Sequence, residues 1–493
     1  MIEAPITNDL APRAVESAPP ADLDIKDPPT RFFQALRQIG PGLILAGSIV
    51  GTGELIATTG LGAEQGYVLL WLILLSCIIK VFVQVELGRY AITHGKTTLA
   101  ALDTLPGPRL GTSWLSWLWL FMMLATQAQI AAMEGLVGQA AHMAFPRGSA
   151  WIASTAAKIV PAWGTFLEGH PEYFWATLTG LAAIALLLSG GYKRLEHVTT
   201  ALVAGVTLIT VACVAGLPFT EYPVHWGEMK SGLSFALPAT GIALAFSTFG
   251  ITGVGASELF AYPYWCIEKG YARSVGPRSQ DPEWGRRARG WLRVMQLDAW
   301  FSMIVFTVAT VAFYILGAAV LHPQGLDPQG AGMIATLAQM YVKPLGLWTR
   351  EVFLIGAWAV LFKTLYVATA ANSRLTADFL DLTGIWRTPT DRGRGRVINA
   401  FCVFLPLLSL GVFYVVRDPK MLVTIGGISQ ALMLPLIAGA TLFLRNRDTD
   451  RRVAPIFLTD VLVWMAFFAI SIVAGYVVYS DIWPRVRYAI VGW

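Results

Sequence analysis

Apolar stretches recur along almost the whole chain, and shorter segments between them contain most of the charged residues. A helix that crosses a bilayer needs roughly 20 apolar residues, and each stretch reaches about that length. The pattern therefore predicts an all-α polytopic membrane protein with eleven transmembrane helices. Their expected bounds are 38–60, 66–92, 112–143, 173–191, 196–218, 233–264, 291–321, 347–377, 396–416, 420–444 and 454–483.

The segments outside these helices differ in character. Residues 1–35 are rich in Pro, Ala and Asp and have little apolar periodicity, which predicts a disordered cytoplasmic tail. Segments 144–172 and 322–346 are expected to be longer loops with short surface helices.

Composition and charge support a membrane protein and set its orientation. Only 14% of the 493 residues are charged, against about 25% in an average soluble domain. About 25 of the 36 Lys and Arg residues fall in loops that share one side with the N-terminus. Because cytoplasmic loops are enriched in basic residues, we expect a cytoplasmic N-terminus, an external C-terminus and a location in the inner or plasma membrane. This bias explains the basic residues without a nucleic-acid partner.

One short motif occurs twice. Residues 51–57 read Gly-Thr-Gly-Glu-Leu-Ile-Ala, and residues 255–261 read Gly-Ala-Ser-Glu-Leu-Phe-Ala. The two copies lie five predicted helices apart. Since an odd number of spans reverses the orientation of the second copy, the pair indicates an inverted-topology repeat.

Clustered small residues weaken a helix, and unwound backbone at membrane depth persists only where it is buried in protein or lines a cavity. We therefore expect helices 1 and 6 to be unwound near Thr52–Gly53 and Ala256–Ser257. An intramembrane carboxylate costs on the order of 3 kcal/mol by insertion scales, so Glu54 and Glu258 are predicted to share a polar midplane site. The alternative is that each Glu caps a half-helix amide or pairs with a lysine such as Lys80 or Lys363.

Other intramembrane polar residues are weaker candidates. Glu134 on helix 3 and Gln430 on helix 10 could face the same cavity, or could instead make interhelical hydrogen bonds, and Gln129 also lies on helix 3. The predicted substrate-binding residues are Gly51, Thr52, Glu54, Gly255, Ser257, Glu258, Gln430 and Glu134, with Glu54 and Glu258 as metal ligands.

Three stretches resemble a known family of transporters. Residues 40–67, from Gly-Pro-Gly to the closing Gly-Tyr, resemble the first helix of the Nramp metal transporters. Residues 84–95 are similar to the end of that family's second helix, and residues 429–435 to its tenth. The resemblance implies a LeuT-like fold with two five-helix inverted repeats, residues 36–218 and 219–445, and an additional C-terminal helix in residues 446–493.

The departures from the family pattern all affect the site. The family's Asp-Pro-Gly-Asn is replaced by Gly51 to Glu54, and its Met-Pro-His by Gly255 to Ser257. A second family histidine aligns with Tyr262, so the usual proton path is not preserved and proton coupling is doubtful. The chain thus resembles a divergent Nramp member that lacks the usual metal-binding motifs.

These changes remove sulfur and imidazole ligands and add carboxylates, and oxygen ligands suit magnesium, manganese or calcium. Replacing Asp and Met by Gly is also expected to enlarge the cavity. We therefore expect a secondary transporter of a hard divalent cation. Two alternatives are a carrier of a small organic substrate, such as an amine, and a sensor that keeps the fold without transport. No catalytic constellation or cofactor motif is found, so neither an enzyme nor a cofactor is expected, and no obligatory protein partner is inferred.

Overall fold

The computed structural model describes residues 25–189, 192–224, 226–238, 240–387, 390–484 and 487. Within them, ten helices are long and apolar enough to cross a membrane, and the first span is an additional, composite helix. In chain order the spans are α1 (Pro41–Ile49, Val50–Thr58 and Thr59–Gln65), α2 (Leu70–His94), α3 (Trp114–Ala144), α4 (Pro171–Ser189), α5 (Tyr192–Gly216), α6a (Ile242–Ile251), α6b (Ala256–Glu268), α7 (Pro282–Leu316), α8 (Thr349–Thr383), α9 (Asp391–Val415), α10 (Pro419–Asp448) and α11 (Phe457–Val477).

Short elements lie between the spans where longer loops were predicted. Helices Pro146–Ile159 and Pro161–Gly169 follow α3, and helix Met333–Leu345 precedes α8. A two-residue hairpin pairs β1 (Arg109–Leu110) with β2 (Thr112–Ser113) before α3. The expected loops with short surface helices are thus confirmed.

The core is formed around α3, which packs against α4, α8, α9 and α10. α1 packs between α6a, α7 and α8, and α7 packs against α2. The four cysteines, Cys77, Cys213, Cys266 and Cys402, are buried and form no disulfide. They fill space between helices.

α6 is interrupted, four residues before the predicted position. The last backbone bond of α6a runs from Thr252 N to Thr248 O (2.8 Å), and α6b begins only at Ala256. Gly253 has a φ of 65°, a left-handed conformation that glycine adopts without a Cβ penalty. Ala256 and Ser257 therefore form the first turn of α6b, and the break lies just before them.

α1 differs from the prediction because it is not unwound. Val50–Thr58 is a π-helix that joins the two α-helical parts of α1 without a gap. Hydroxyl groups of the following turn cover carbonyls that the wider helix exposes: Thr58 Oγ1 donates to Gly53 O (2.8 Å), and Thr59 Oγ1 to Glu54 O (3.2 Å). The expectation that helix 1 opens near Thr52–Gly53 is wrong, since the same small residues here widen the helix instead of breaking it.

The last part of the predicted N-terminal tail is in contact with the helices. Residues Phe32–Leu36 form a short helix, Lys26 N donates to Ser274 O (3.1 Å), and Trp291 Nε1 donates to Lys26 O (2.9 Å). Residues 1–24 of the predicted tail lie outside the described residues. From residue 25 onward the segment is therefore bound along the start of α7, which corrects the predicted length of the tail.

Candidate functional site

A cavity of about 50 Å³ lies between α1, α3, α6, α8 and α10. By the space that one buried water needs, such a cavity holds a small ion with about three waters. Its apolar wall includes Met133 and Ile251. Its polar lining residues are Thr126, Gln129, Ser257, Glu258, Thr364, Asn372 and Gln430.

Glu258 is the acidic residue of this lining. It lies in the first turn of α6b, where the positive end of the helix stabilises a carboxylate. Gly255 precedes this turn, and a Cβ there would lie 2.6 Å from Glu258 Oε2 and 2.8 Å from Gln430 Oε1. A larger residue at 255 would therefore displace both polar side chains.

An amide chain fixes the neighbouring oxygen atoms. Gln430 Oε1 accepts from Ser257 N (3.1 Å), and Gln430 Nε2 donates to Gln129 Oε1 (2.8 Å). Because each contact assigns a different end of the Gln430 amide, its orientation is determined. Ser257, Glu258 and Gln430 are thus brought together as predicted, and Gln129, one of the weaker candidates on helix 3, joins them.

The predicted second carboxylate points elsewhere. Glu54 is fully buried, and its Oε1 accepts from Gly253 N (3.3 Å) and from Thr310 Oγ1 of α7 (2.8 Å). Gly53 lines the cavity, but Glu54 is not among the lining residues. Glu54 therefore caps an amide of the interrupted helix, which is the alternative role considered for it.

Two further predicted site residues pack against other helices and do not line the cavity. Gly51 is buried where α1 meets α8, and a Cβ at this position would collide with Thr364. Glu134 is buried on an adjacent face of α3, and its Oε2 accepts from Ser409 Oγ of α9 (3.0 Å). Its assignment to the cavity is therefore wrong, because the rotation of α3 directs it to α4 and α9. The side chain of Thr52 lies outside the described residues.

Among the described residues, no group of three or more His, Cys, Asp and Glu side chains lies close enough to bind one metal ion. A cation in the cavity would therefore be held by one carboxylate together with neutral amide and hydroxyl oxygens. Asn372 and Thr364 supply such oxygens from one face of α8. Their spacing of eight residues, about two helical turns, was the available sequence signal for this face.

A larger cavity of about 580 Å³ adjoins the site and shares Trp265 and Val367 with it. It lies beside the start of α1 and the end of α6b, and its charged lining residues are Glu268, Lys269, Lys363 and Arg374. Arg374 Nε pairs with Glu268 Oε1 at 2.6 Å. We call this space the vestibule.

An ion cluster lies at the other end of α1. Lys420 Nζ, at the start of α10, lies 3.1 Å from Glu64 Oε2 of α1 and 2.8 Å from Asp327 Oδ2 of the loop after α7. The cluster joins three segments across the end of α1 that is remote from the vestibule.

The family model described as natural resistance-associated macrophage protein-like (Nramp) matches residues 42–480. The chain belongs to the Nramp family. The divalent metal cation transporter MntH of Acidiphilium cryptum is 24% identical over 417 residues, or 83% of this chain and 82% of that protein. MntH of Brucella suis is 23% identical over 420 residues, covering 82% and 79% of the two chains.

Solved structures confirm the fold of this Nramp protein. The manganese transporter of Eremococcus coleocola, solved with an aromatic bis-isothiourea substituted compound, matches with a TM-score of 0.61 at 16% identity, over 94% of this chain and 91% of that one. Mhp1, a nucleobase-cation-symport-1 family transporter, matches with a TM-score of 0.51 at 12% identity, over 92% and 96%. The expected LeuT-like fold and the membership of a membrane transporter family are thus confirmed.

The structure also shows what occupies the positions of the altered Nramp motifs. At Gly51, where the resemblance places a metal-binding Asp, Thr364 of α8 fills the space. At Gly255, aligned with the family's Met, the side chains of Glu258 and Gln430 do so. The cavity is consequently not enlarged at these two positions, because neighbouring polar side chains replace the missing ones.

Proposed function

We propose that this Nramp protein transports a hard divalent cation, magnesium- or manganese-like, through the central cavity. The observation that carries the proposal is a single carboxylate, Glu258, in a lining whose other polar groups are amides and hydroxyls. Carboxylate and neutral oxygens are the ligands that hard cations prefer. The curated relatives, named as divalent metal cation transporters, support the same substrate class.

In this proposal Glu258 supplies the charge, and Gln129, Asn372 and Gln430 supply neutral oxygens. Magnesium dehydrates reluctantly and keeps several waters, and the cavity has room for about three. The proposal thus replaces the expected two-carboxylate site by a site with one carboxylate and coordinated water. The activity is transport and not catalysis.

The orientation proposed from the basic loops agrees with the position of the vestibule. Arg278 Nη2 lies 3.1 Å from Asp450 Oδ2, which brings the loop before α7 next to the loop after α10. These two loops are the most basic of the chain, and the vestibule lies at the same end. We therefore place the vestibule on the cytoplasmic side, with the N-terminus, in the inner or plasma membrane.

Uptake into proteoliposomes tests the proposal. Purified protein is reconstituted, and uptake of magnesium, manganese, calcium and a panel of small organic amines is measured against protein-free vesicles. Saturable uptake of a hard divalent cation is the expected result. If an amine is taken up and none of the divalent cations is, the organic-substrate alternative is favoured. If nothing is taken up, a sensor is favoured.

Cadmium is expected to have no advantage over manganese or magnesium, because the thioether aligned with the family's Met is replaced by Gly255. Met133 of α3 is the sulfur-bearing side chain of the cavity lining, which the expectation of an oxygen-only site had not included. Competition by each ion is therefore measured in the parent and in Met133→Leu. Cadmium that outcompetes manganese only in the parent would assign a soft-ligand role to Met133 and contradict the oxygen site.

Cation affinity is expected to weaken as the pH falls, because a proton and a divalent cation compete for the Glu258 carboxylate. The cation binds the ionised form, so protonation at low pH removes the charge that the described cavity lining offers to the cation. Calorimetric titrations over the pH range in which the protein stays folded measure this effect, and proton release on binding is measured in buffers of different ionisation enthalpy. An affinity independent of pH, with no proton released, would contradict competition at a carboxylate.

A further inference from the structure

The break in α6 is held by two buried charged side chains of opposite sign. Lys80 of α2 and Glu54 of α1 both have an exposed fraction of 0%. Lys80 Nζ donates to Phe249 O (2.5 Å) and to Thr252 O (2.7 Å), at the end of α6a. Glu54 Oε1 accepts from Gly253 N (3.3 Å).

Both residues act on one peptide unit. The carbonyl of Thr252 and the N–H of Gly253 belong to the same peptide, so Lys80 binds its negative pole and Glu54 its positive pole. A cation is also stabilised at the carbonyl end of a helix, which is where Lys80 lies relative to α6a. The two charges therefore orient this peptide from both sides.

Hydroxyl groups complete the arrangement. Ser76 Oγ, one turn before Lys80 on α2, lies 3.1 Å from both Phe249 O and Thr252 O. Thr310 Oγ1 donates to the same Glu54 oxygen that receives Gly253 N. The carbonyls freed by the break are thus satisfied by α2, and the freed amide by α1, which limits rotation of the peptide.

The peptide lies directly before the cation site. Only Val254 and Gly255 separate Gly253 from α6b, whose first turn contains Ser257 and Glu258. A rotation of the Thr252–Gly253 peptide would therefore move the Glu258 carboxylate relative to Gln430. Because Glu54 lies behind the break and not in the cavity lining, it influences the cavity through backbone geometry.

We propose that Lys80 and Glu54 are positioning residues, a hydrogen-bond donor and a hydrogen-bond acceptor that clamp the Thr252–Gly253 peptide from both sides and thereby place Glu258 in the cavity. Lys80 acts as a tethered cation at the end of α6a, and Glu54 does not touch the transported ion. The inference rests on the proposed function, since it takes the Glu258 cavity as the binding site.

The first test separates the hydrogen-bond role of Glu54 from a role of its charge. Glu54→Gln keeps an oxygen that can accept from Gly253 N and Thr310, whereas Glu54→Ala does not. Calorimetry with manganese is expected to show a change of less than about threefold for Glu54→Gln and a loss of about tenfold or more for Glu54→Ala. Equal, large losses in both variants would overturn the proposal, because they would assign the charge of Glu54 to the ion itself.

The second test replaces the tethered cation by a free one. Lys80→Ala removes the ammonium group and leaves space for a small alkylammonium ion. Uptake of manganese by this variant is expected to fall about tenfold. Added n-propylammonium is expected to raise the uptake of the variant again by at least about threefold. Tetramethylammonium, which has no N–H donor, serves as the matched control, and n-propylammonium should leave the parent unchanged. Equal recovery with both amines, or none in a folded variant, would overturn the role of Lys80. If the variant is not recovered folded, the comparison at Glu54 decides.

Glu258→Gln, measured in parallel, distinguishes the two proposals. A Glu258→Gln variant that binds manganese like the parent contradicts the proposed cation site, whatever the Glu54 variants show. A large loss in Glu258→Gln together with equal losses in both Glu54 variants retains the site and removes only the clamp.

Discussion

Glu258→Gln is expected to weaken divalent-cation binding by roughly 30-fold or more, the largest functional effect in the molecule. The substitution keeps the size of the side chain and removes the one charged group among the described residues of the cavity lining. Loss of one partner of a buried charge interaction costs about 2–5 kcal/mol, and each 1.4 kcal/mol is about a tenfold change in affinity. Calorimetry with manganese and magnesium measures the loss, and uptake into proteoliposomes should fall in parallel.

Glu134→Gln is the matched control. Glu134 is a buried intramembrane glutamate, but its carboxylate accepts from Ser409 of α9 and does not line the cavity. The same chemical change there should leave cation affinity within about twofold of the parent. Equal losses in the two variants would mean that any buried charge removed from the bundle disturbs binding, and Glu258 would lose its special role.

The order of spans and the place of the site could be predicted because both depend on patterns along the chain. Apolar length determines which segments cross a bilayer, and the repeated motif places Glu258 beside the interruption of α6. Gly253, however, and not Ala256 or Ser257, adopts the left-handed conformation at the break. Small residues indicate that a helix can open, but tertiary contacts decide at which peptide it does so.

The functions of Glu54 and Glu134 could not be separated by sequence, because both are single carboxylates in apolar helices. Their roles depend on the rotation of each helix about its axis, which directs Glu54 to Gly253 and Glu134 to Ser409. The π-helix of α1 could not be predicted from the sequence for the same reason. Its wider turns depend on which carbonyls Thr58 and Thr59 reach, and residue spacing alone does not encode this choice.

The matching repeat of Glu54 and Glu258 is nevertheless informative. Both glutamates lie beside the α6 break, but Glu258 follows it on α6b whereas Glu54 binds it from α1. An inverted repeat places equivalent residues near one another without giving them equivalent roles. The symmetry therefore indicates which helices bring polar residues to the α6 break, but not which of those residues face the cavity.

Arg445→Met is expected to cause the largest loss of stability. Arg445 of α10 pairs with Glu86 of α2 and with Asp460 of α11, and Glu86 is only 3% exposed. Removing one partner of a buried ion pair costs about 3–5 kcal/mol, because the remaining charge stays buried. Arg89 Nε still lies 3.2 Å from Glu86 Oε2 and keeps a partner for this carboxylate. We therefore expect a loss of stability toward the lower end of that range. Denaturant unfolding in detergent, followed by tryptophan fluorescence, measures the free energy of unfolding.

Arg447→Met, two residues further along α10, is the control for the same chemical change. Arg447 pairs with the adjacent Asp448 at 2.7 Å, and its side chain is 39% exposed. Exposed ion pairs contribute about 0–1 kcal/mol, so this variant should unfold almost like the parent. Adding Glu86→Gln to Arg445→Met also removes the carboxylate that pairs with Arg89 at 3.2 Å, so it should lower the stability further. The further loss should be smaller than the loss that Glu86→Gln causes in the parent, as expected for residues in direct contact. If Arg445→Met and Arg447→Met unfold alike, or if the losses from Arg445→Met and Glu86→Gln simply add, the ion network between α2, α10 and α11 does not stabilise the fold by charge pairing.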